Sequence, residues 1–312
     1  NRFMQKININ SSMSSWFYDK IILSLSFQKI NESRHHKKST EVLKSNRFEN
    51  LSVYDFGVDI NKLLFGTRVS YGAGGRNQIL HSAANKSLEE DSRVFYNTTR
   101  YPDGGSIVKN MFFYSQFRLP LSKKLSLYFG GRINQNQLSA SFIDTTTYAF
   151  PFTKIKTKNN SLVASVLINY QFLKTSRLTA TYYSGFRNPN IDDVAKVFSK
   201  NDNSVIVPNP SLLPEKAKNM EARFQTTLWS SLIIRVDYFN TQITNAIQRE
   251  NSILNGDSML MYDGDLMRIQ MNKNIEAASI YGANILLEYH PSEAINIYSR
   301  HNFIRGKTAE NS

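Results

Sequence analysis

The side chains best able to do chemistry sit in polar stretches between alternating segments. Tyr96, Arg100, Tyr101, Tyr148, Phe150 and Lys154 combine aromatic faces with positive charge, a pairing that suits an anionic ligand through charge attraction and ring packing. Glu89-Glu90-Asp91 and Asp192-Asp193 offer the several carboxylate oxygens that a hard cation takes, although solvated loop charge accounts for them more simply. His35, His36 and His81 carry imidazoles able to ligate iron. Tyr71-Gly72-Ala73-Gly74-Gly75-Arg76 is rich in glycine, but it is expected to leave a strand for a polar loop with no helix behind it. A phosphate cradle is therefore not expected there.

Catalytic patterns are missing. The chain has no Gly-x-Ser-x-Gly elbow, no His-Glu-x-x-His and no phosphate loop. Without cysteine it can build neither a disulfide nor a Cys-zinc site nor a thiol nucleophile. We expect no enzyme, no resident metal and no cofactor.

The elements that position these residues show period two. Leu23, Leu25 and Phe27 alternate with serine and glutamine, and Leu125, Leu127 and Phe129 oppose Ser126, Tyr128 and Gly130. Leu162, Ala164, Val166, Ile168, Tyr170 and Phe172 form a one-sided row long enough to cross a bilayer, for which a strand needs roughly 9–11 residues. About twelve strands follow, near residues 1–10, 19–30, 51–61, 63–73, 107–119, 124–136, 161–172, 176–188, 216–228, 231–247, 266–289 and 294–305. Short turns are expected near Ser11–Ser15, Asn61–Lys62, Pro120–Ser122, Lys174–Thr175, Trp229–Ser230 and Pro291–Glu293. Long polar connections are expected near 31–50, 74–106, 137–160, 189–215 and 248–265.

Short turns at one end and long loops at the other describe an antiparallel up-and-down transmembrane β-barrel with its long loops outside the cell. A soluble sandwich or propeller would mix loop lengths at both ends. It would also have to bury Arg132, Arg223, Arg235 and Asp237, which alternation places on the polar face in mid-strand, where a wet lumen suits them better. A transmembrane helix is excluded, since no run of apolar residues is long enough.

The net charge of +13 raises the question of an anionic partner. Its 38 Lys and Arg are scattered, and the one cluster, Arg34-His35-His36-Lys37-Lys38, has no interleaved aromatics. That cluster reads as a solvated or headgroup-facing loop, so we expect outer-membrane lipid and no nucleic acid as partner.

One stretch is more specific. Arg187 shares the inward parity of Thr179, Thr181 and Tyr183, and Glu221 shares that of Asn219 and Arg223, so these two are expected to pair across neighbouring strands at the rim. Around them lie Phe186-Arg187-Asn188-Pro189 and, across a loop, Asn209-Pro210-Ser211-Leu212 followed by Pro214-Glu215. Together these resemble the arginine-proline and Asn-Pro-x-Leu boxes of TonB-dependent outer-membrane receptors. Asn219, Glu221, Asn245-Ala246-Ile247 and Ile280-Tyr281-Gly282 continue the likeness, while Asn284 stands where that family commonly has Glu.

The resemblance implies a larger plugged barrel in the outer membrane of a Gram-negative bacterium, of which residues 1–312 would be a partial barrel domain with the plug outside this chain. Both chain ends would lie on the outer side, and residues 306–312 would be a loop cut short, so a fragment is expected. Its open edges alone would not make a working transporter. It also implies uptake of a scarce extracellular small molecule, a siderophore-like ferric chelate, energised through a TonB-like coupling protein acting on the missing N-terminal region. A structural or adhesive barrel that carries nothing is the alternative. Haem receptors of this family tend to place a histidine between the two boxes, and residues 190–208 contain none. Phe186, Arg187, Pro189, Asn209, Pro210, Leu212, Pro214, Glu215 and Glu221 are expected to serve the rim, while the aromatic and basic loop residues bind the chelate.

Overall fold

The computed structural model describes residues 1–37, 39, 41–88, 93–144, 146–199 and 203–308. In chain order it has β1 (Arg2–Ser11), β2 (Lys20–His36), β3 (Leu43–Leu64), β4 (Thr67–Leu88), β5 (Val94–Tyr96), β6 (Ser106–Pro120), β7 (Leu125–Ser141), β8 (Lys154–Leu173) and β9 (Ser176–Arg187). A single helical turn, α1 (Ile191–Val194), and two short strands, β10 (Phe198–Ser199) and β11 (Ser204–Val207), follow. The chain continues with β12 (Glu215–Leu228), β13 (Leu232–Asn251), β14 (Met259–Tyr262), β15 (Asp265–Ser292) and β16 (Ile295–Thr308). Among the described residues, twelve strands are ten residues or longer, and each pairs antiparallel with the next. The sheet does not close, and β1 and β16 form its two edges.

Alternation decides which face meets what. Leu162, Val166, Ile168 and Tyr170 are exposed on one face of β8, in line with exposed Phe113 and Ile133 on β6 and β7. Lipid, not protein, must cover such a surface. The other face carries the charges: Arg223 pairs with Asp237, Arg76 with Asp55 at 2.5 Å, and the Arg132 guanidinium lies 3.9 Å above the Phe112 ring. Carboxylates compensate Arg223 and Arg76 inside a barrel wall, and the ring gives Arg132 a weaker cation–π contact.

The strands reach further outward than their alternation suggests. β2 continues to His36, β3 begins at Leu43, β4 runs to Leu88, β7 to Ser141, and β8 begins at Lys154. Residues 31–36, 43–50, 74–88, 137–141 and 154–160 are therefore ladder rather than loop. Both faces of a strand are polar once it rises above the bilayer, so period two fades while backbone pairing persists. Glu32 opposite Glu49 and Asn31 opposite Asn50 illustrate this.

The glycine stretch is also corrected. Tyr71–Arg76 lies within β4, where a Cβ on Gly72 would come 2.3 Å from the Val58 carbonyl oxygen and 2.7 Å from Tyr114 Cε1. Glycine there admits the Tyr114 ring. The turn expected at Asn61–Lys62 is instead Phe65–Gly66, with φ of 48° and 78°, closing Leu64 against Thr67. Two residues at positive φ make the turn whose twist matches a hairpin. The region 248–265 holds two more such turns, at Asn255–Gly256 and Asp263–Gly264, and the second closes β14 onto β15.

Within the outer mouth, connecting segments fold onto the strands and make the buried core. Leu138, Ala140 and Ile155 on β7 and β8 pack against Val194, Ala195 and Leu212. Val205 and Val207 on β11, which runs parallel to β15, pack beside Ile269, Tyr262 and Leu254. Filling the mouth in this way anchors the connection between β9 and β12.

Candidate functional site at the outer mouth

Arg187 is the last residue of β9 and lies opposite Glu215, the first residue of β12. Its guanidinium bonds the Glu215 carboxylate and, at 2.7 Å, Asp193 Oδ2. The expected partner Glu221 is elsewhere: it lies opposite Thr181, six residues along β12, and accepts a 2.8 Å hydrogen bond from Tyr183. Register corrects the pairing, because Pro214-Glu215 begins β12 beside the end of β9. Six residues of strand span about 20 Å, beyond any arginine's reach.

The rest of the motif closes around this ion triad. Asn190 caps α1, its Oδ1 accepting from the Asp193 amide at 3.0 Å while Asp193 Oδ2 accepts the Asn190 amide at 3.0 Å. Pro189 is buried beside it. Asn209 donates to the Asn272 carbonyl at 2.7 Å and accepts the Ser211 amide, bending the chain through Pro210 so that Leu212 enters the core at 3 % exposure. Pro214 hands the chain to Glu215, whose second carboxylate oxygen accepts the Ile247 amide at 2.7 Å. Burial pushes the Glu215 carboxyl up, but the Arg187 hydrogen bond, the Ile247 amide and the Arg187 charge outweigh it and hold the group below its usual value.

The aromatic and basic residues do not gather into one site. Arg100 and Tyr101 meet: the Arg100 guanidinium lies 4.7 Å from the Phe198 ring centre and 5.4 Å from that of Tyr101, and Tyr101 donates to Asp192 at 3.0 Å. Lys196 Nζ lies 4.8 Å from the centre of the same Phe198 ring and pairs with Asp192 at 3.0 Å, while Arg100 meets that carboxylate at 3.9 Å. Burial, followed by the Asp192 charge, pushes the Tyr101 phenol up, so it stays a neutral donor. Two cations thus share one carboxylate. A cavity of about 370 Å³ opens beside them, with Asn190 and Asp192 on one wall and Glu32, Arg34 and Glu49 on the other.

Tyr148 and Phe150 pack against Val197, Val205 and Tyr262 in a group of rings that includes Phe142 and Phe152. Exposed Tyr96 donates to Asp144, and Lys154 is exposed at the outer end of β8 opposite Ser141. His35 bonds Asn46 at 2.7 Å, and exposed His81 sits against Gly105. Glu89-Glu90-Asp91 lie outside the described residues. Sequence reasoning missed Lys196 and Phe198, although Lys-x-Phe beside Asp192 was the available signal.

A long connection is thus tied down by an arginine-carboxylate triad on a lipid-facing antiparallel wall. The family model for the TonB dependent receptor-like β-barrel matches residues 6–309. The chain belongs to the TonB-dependent receptors. These are outer-membrane barrels, and this receptor chain has its strands arranged accordingly. Its fold is similar to the copper transporter OprC, with a TM-score of 0.78 at 11 % identity, covering 99 % of this chain and 46 % of that one. It is also similar to the ferric enterobactin receptor PfeA of Pseudomonas aeruginosa (TM-score 0.70, 12 % identity, 97 % of this chain and 43 % of that one). The ferric yersiniabactin uptake receptor FyuA of Yersinia pestis gives a TM-score of 0.65 at 13 % identity, covering 99 % of this chain and 43 % of FyuA. The receptor chain therefore spans less than half the length of these structures. No curated protein matches the sequence.

Proposed function

We propose that this chain is the barrel portion of a receptor that actively imports a scarce extracellular nutrient of the ferric chelate class, energised by a periplasmic coupling protein. The observation that carries the reading is the Arg100–Phe198–Lys196 stack with Tyr101 and Asp192. Asp192 pairs with both Lys196 and Arg100, which leaves one net positive charge beside the Phe198 and Tyr101 rings in the outer mouth, and an anionic chelate would meet both that charge and an apolar surface there. Two structural neighbours, PfeA and FyuA, are receptors for ferric chelates, which supports the ligand class. Binding and transport are its work, without catalysis. A full-length receptor carrying Arg100→Ala and Lys196→Ala should lose chelate-dependent growth under iron limitation and bind ferric chelates at least about tenfold more weakly. Unchanged affinity for every anionic ferric chelate tried, with normal barrel assembly, would remove this assignment and favour a barrel that adheres rather than transports.

A further inference from the structure

The cavity of about 370 Å³ beside Tyr101 and Asp192 is walled by strands whose residues stand in rows. Ile30, Leu51 and Leu80 are in register across β2, β3 and β4, and the next row outward on the same face is Glu32, Glu49 and Ser82. Val108 and Ile191 complete the apolar part of the lining. Glutamates directly opposite each other on neighbouring strands repel, so Glu32 and Glu49 each need a counter-charge.

Among the described residues, one of the three carboxylates that line the cavity lacks that counter-charge. Glu32 pairs with Arg34 at 2.5 Å, and Asp192 is held by Lys196 at 3.0 Å and Arg100 at 3.9 Å. Glu49 is left over: it is 6 % exposed, and neither of its carboxylate oxygens has a hydrogen-bond partner among the described residues. Arg47, next to it on the same face of β3, is taken by Asp263 and the Thr98 carbonyl. A buried carboxylate without a partner is costly, and burial accordingly pushes the Glu49 carboxyl up. One monovalent cation would balance the cavity.

We propose that this cavity is a subsite for a protonated primary amine carried on a short aliphatic arm. The lining selects that chemistry over a metal ion: among the described residues no three carboxylate or imidazole groups converge as a hard cation requires, and the row beneath Glu49 is apolar. An ammonium head would bond the Glu49 carboxylate while its methylenes lie along Leu51, Leu80 and Val108. The volume has room for one arm of a larger ligand. This assignment rests on the proposed import of a chelate and narrows its class. Tyr101 and Asp192 belong both to this cavity and to the Arg100–Lys196 cluster, so a chelate bearing such an arm meets one net positive charge at the rings and one net negative charge in the cavity. The imported ligand is then zwitterionic.

The test titrates the full-length receptor, in mild detergent at neutral pH, with n-butylamine, n-butanol and butyrate, read by saturation-transfer NMR. Butylamine should bind about tenfold more tightly than either isostere. Glu49→Gln should bring butylamine level with butanol, and Glu49→Asp should keep most of the preference. Glu293→Gln, in the turn between β15 and β16, removes the same charge at the opposite end and should change nothing. Should Glu49→Gln fail to show heat-modifiable folding, the parental ranking of the three probes decides alone. Equal binding of amine and alcohol by the parent, an amine preference that survives Glu49→Gln, or calcium held at Glu49 in place of the amine would each overturn the proposal. A receptor that loses chelates on Arg100→Ala with Lys196→Ala but never prefers the amine keeps its proposed function and loses this subsite. An amine preference without chelate binding keeps the subsite and removes the import of a chelate.

Discussion

Arg47 and Asp263 are 216 positions apart in the chain and 2.7 Å apart in space. Arg47 projects from the outer part of β3, and Asp263 begins the tight turn that joins β14 to β15. The same guanidinium donates to the Thr98 carbonyl at 3.1 Å, so a single side chain ties two outer connections to the wall. Both partners are largely shielded, at 18 % and 23 % side-chain exposure. Asp263→Asn keeps the turn residue but removes the charge. It should release the β14–β15 hairpin, raising amide exchange at residues 259–268 about tenfold, the equivalent of ~1.4 kcal/mol. Exchange at the parental rate would show that Tyr262 packing alone holds the hairpin.

Arg187 serves architecture in a similar way, and its removal leaves two carboxylates, Glu215 and Asp193, without their cation. Arg187→Ala should destabilise the rim by about 1–3 kcal/mol and expose residues 188–214 to protease, while chelate affinity changes less. Lysine at this position should recover only part of the loss, since one ammonium cannot reproduce the fork. The decisive comparison is limited proteolysis beside ligand titration on the same preparation. Selective loss of binding with an intact connection would move Arg187 from the rim to the ligand site.

Much of the wall was legible because lipid imposes a simple demand. Every second residue from Leu162 to Tyr170 must be apolar, and nothing else in the fold competes with that rule. Above the bilayer the demand lapses, which is why Asn31–His36 and Leu43–Asn50 read as loop although they pair residue by residue. Asn255–Gly256 and Asp263–Gly264 carried turn signals strong enough to reveal the outer hairpins inside a stretch that looked merely polar. The site was less legible. Parity placed Arg187 and Glu221 on the same face, but register, set by where Pro214 releases the chain into β12, chose Glu215. Contacts such as Arg47–Asp263 depend on how distant connections fold over the mouth, and no local pattern encodes them.

Gly72 offers a test of packing between β3, β4 and β6. A methyl group there meets the Val58 carbonyl and the Tyr114 ring at once, and the carbonyl belongs to the β3–β4 ladder, so it cannot yield without loss of pairing. Gly72→Ala should therefore cost about 1–3 kcal/mol, seen as a lower temperature for the heat-modifiable transition. Gly57→Ala, where the space is open, is the control and should change little. If both variants unfold with the parent, the close approach of Tyr114 is not holding these strands together.

The inner-leaflet end has its own pH dependence. Asp19, in the connection between β1 and β2, accepts from Lys62 Nζ at 2.8 Å, from the Leu63 amide at 2.8 Å and from Ser14 at 2.7 Å. The Lys62 hydrogen bond foremost, then the Leu63 amide and Ser14, lower its carboxyl to about 2. A carboxyl whose folded value lies below its unfolded value stabilises the fold above the unfolded value, and that contribution disappears as pH falls through the folded one. The Asp19 contacts should thus be complete above about pH 4 and lost progressively toward pH 2. Amide exchange at Leu63, corrected for its intrinsic pH dependence, should rise across this window in the parent. In Asp19→Asn it should start high and stay flat. A parent profile as flat as the variant's would mean that Lys62, which also donates to the Ser15 carbonyl at 2.7 Å, holds this turn without the carboxylate.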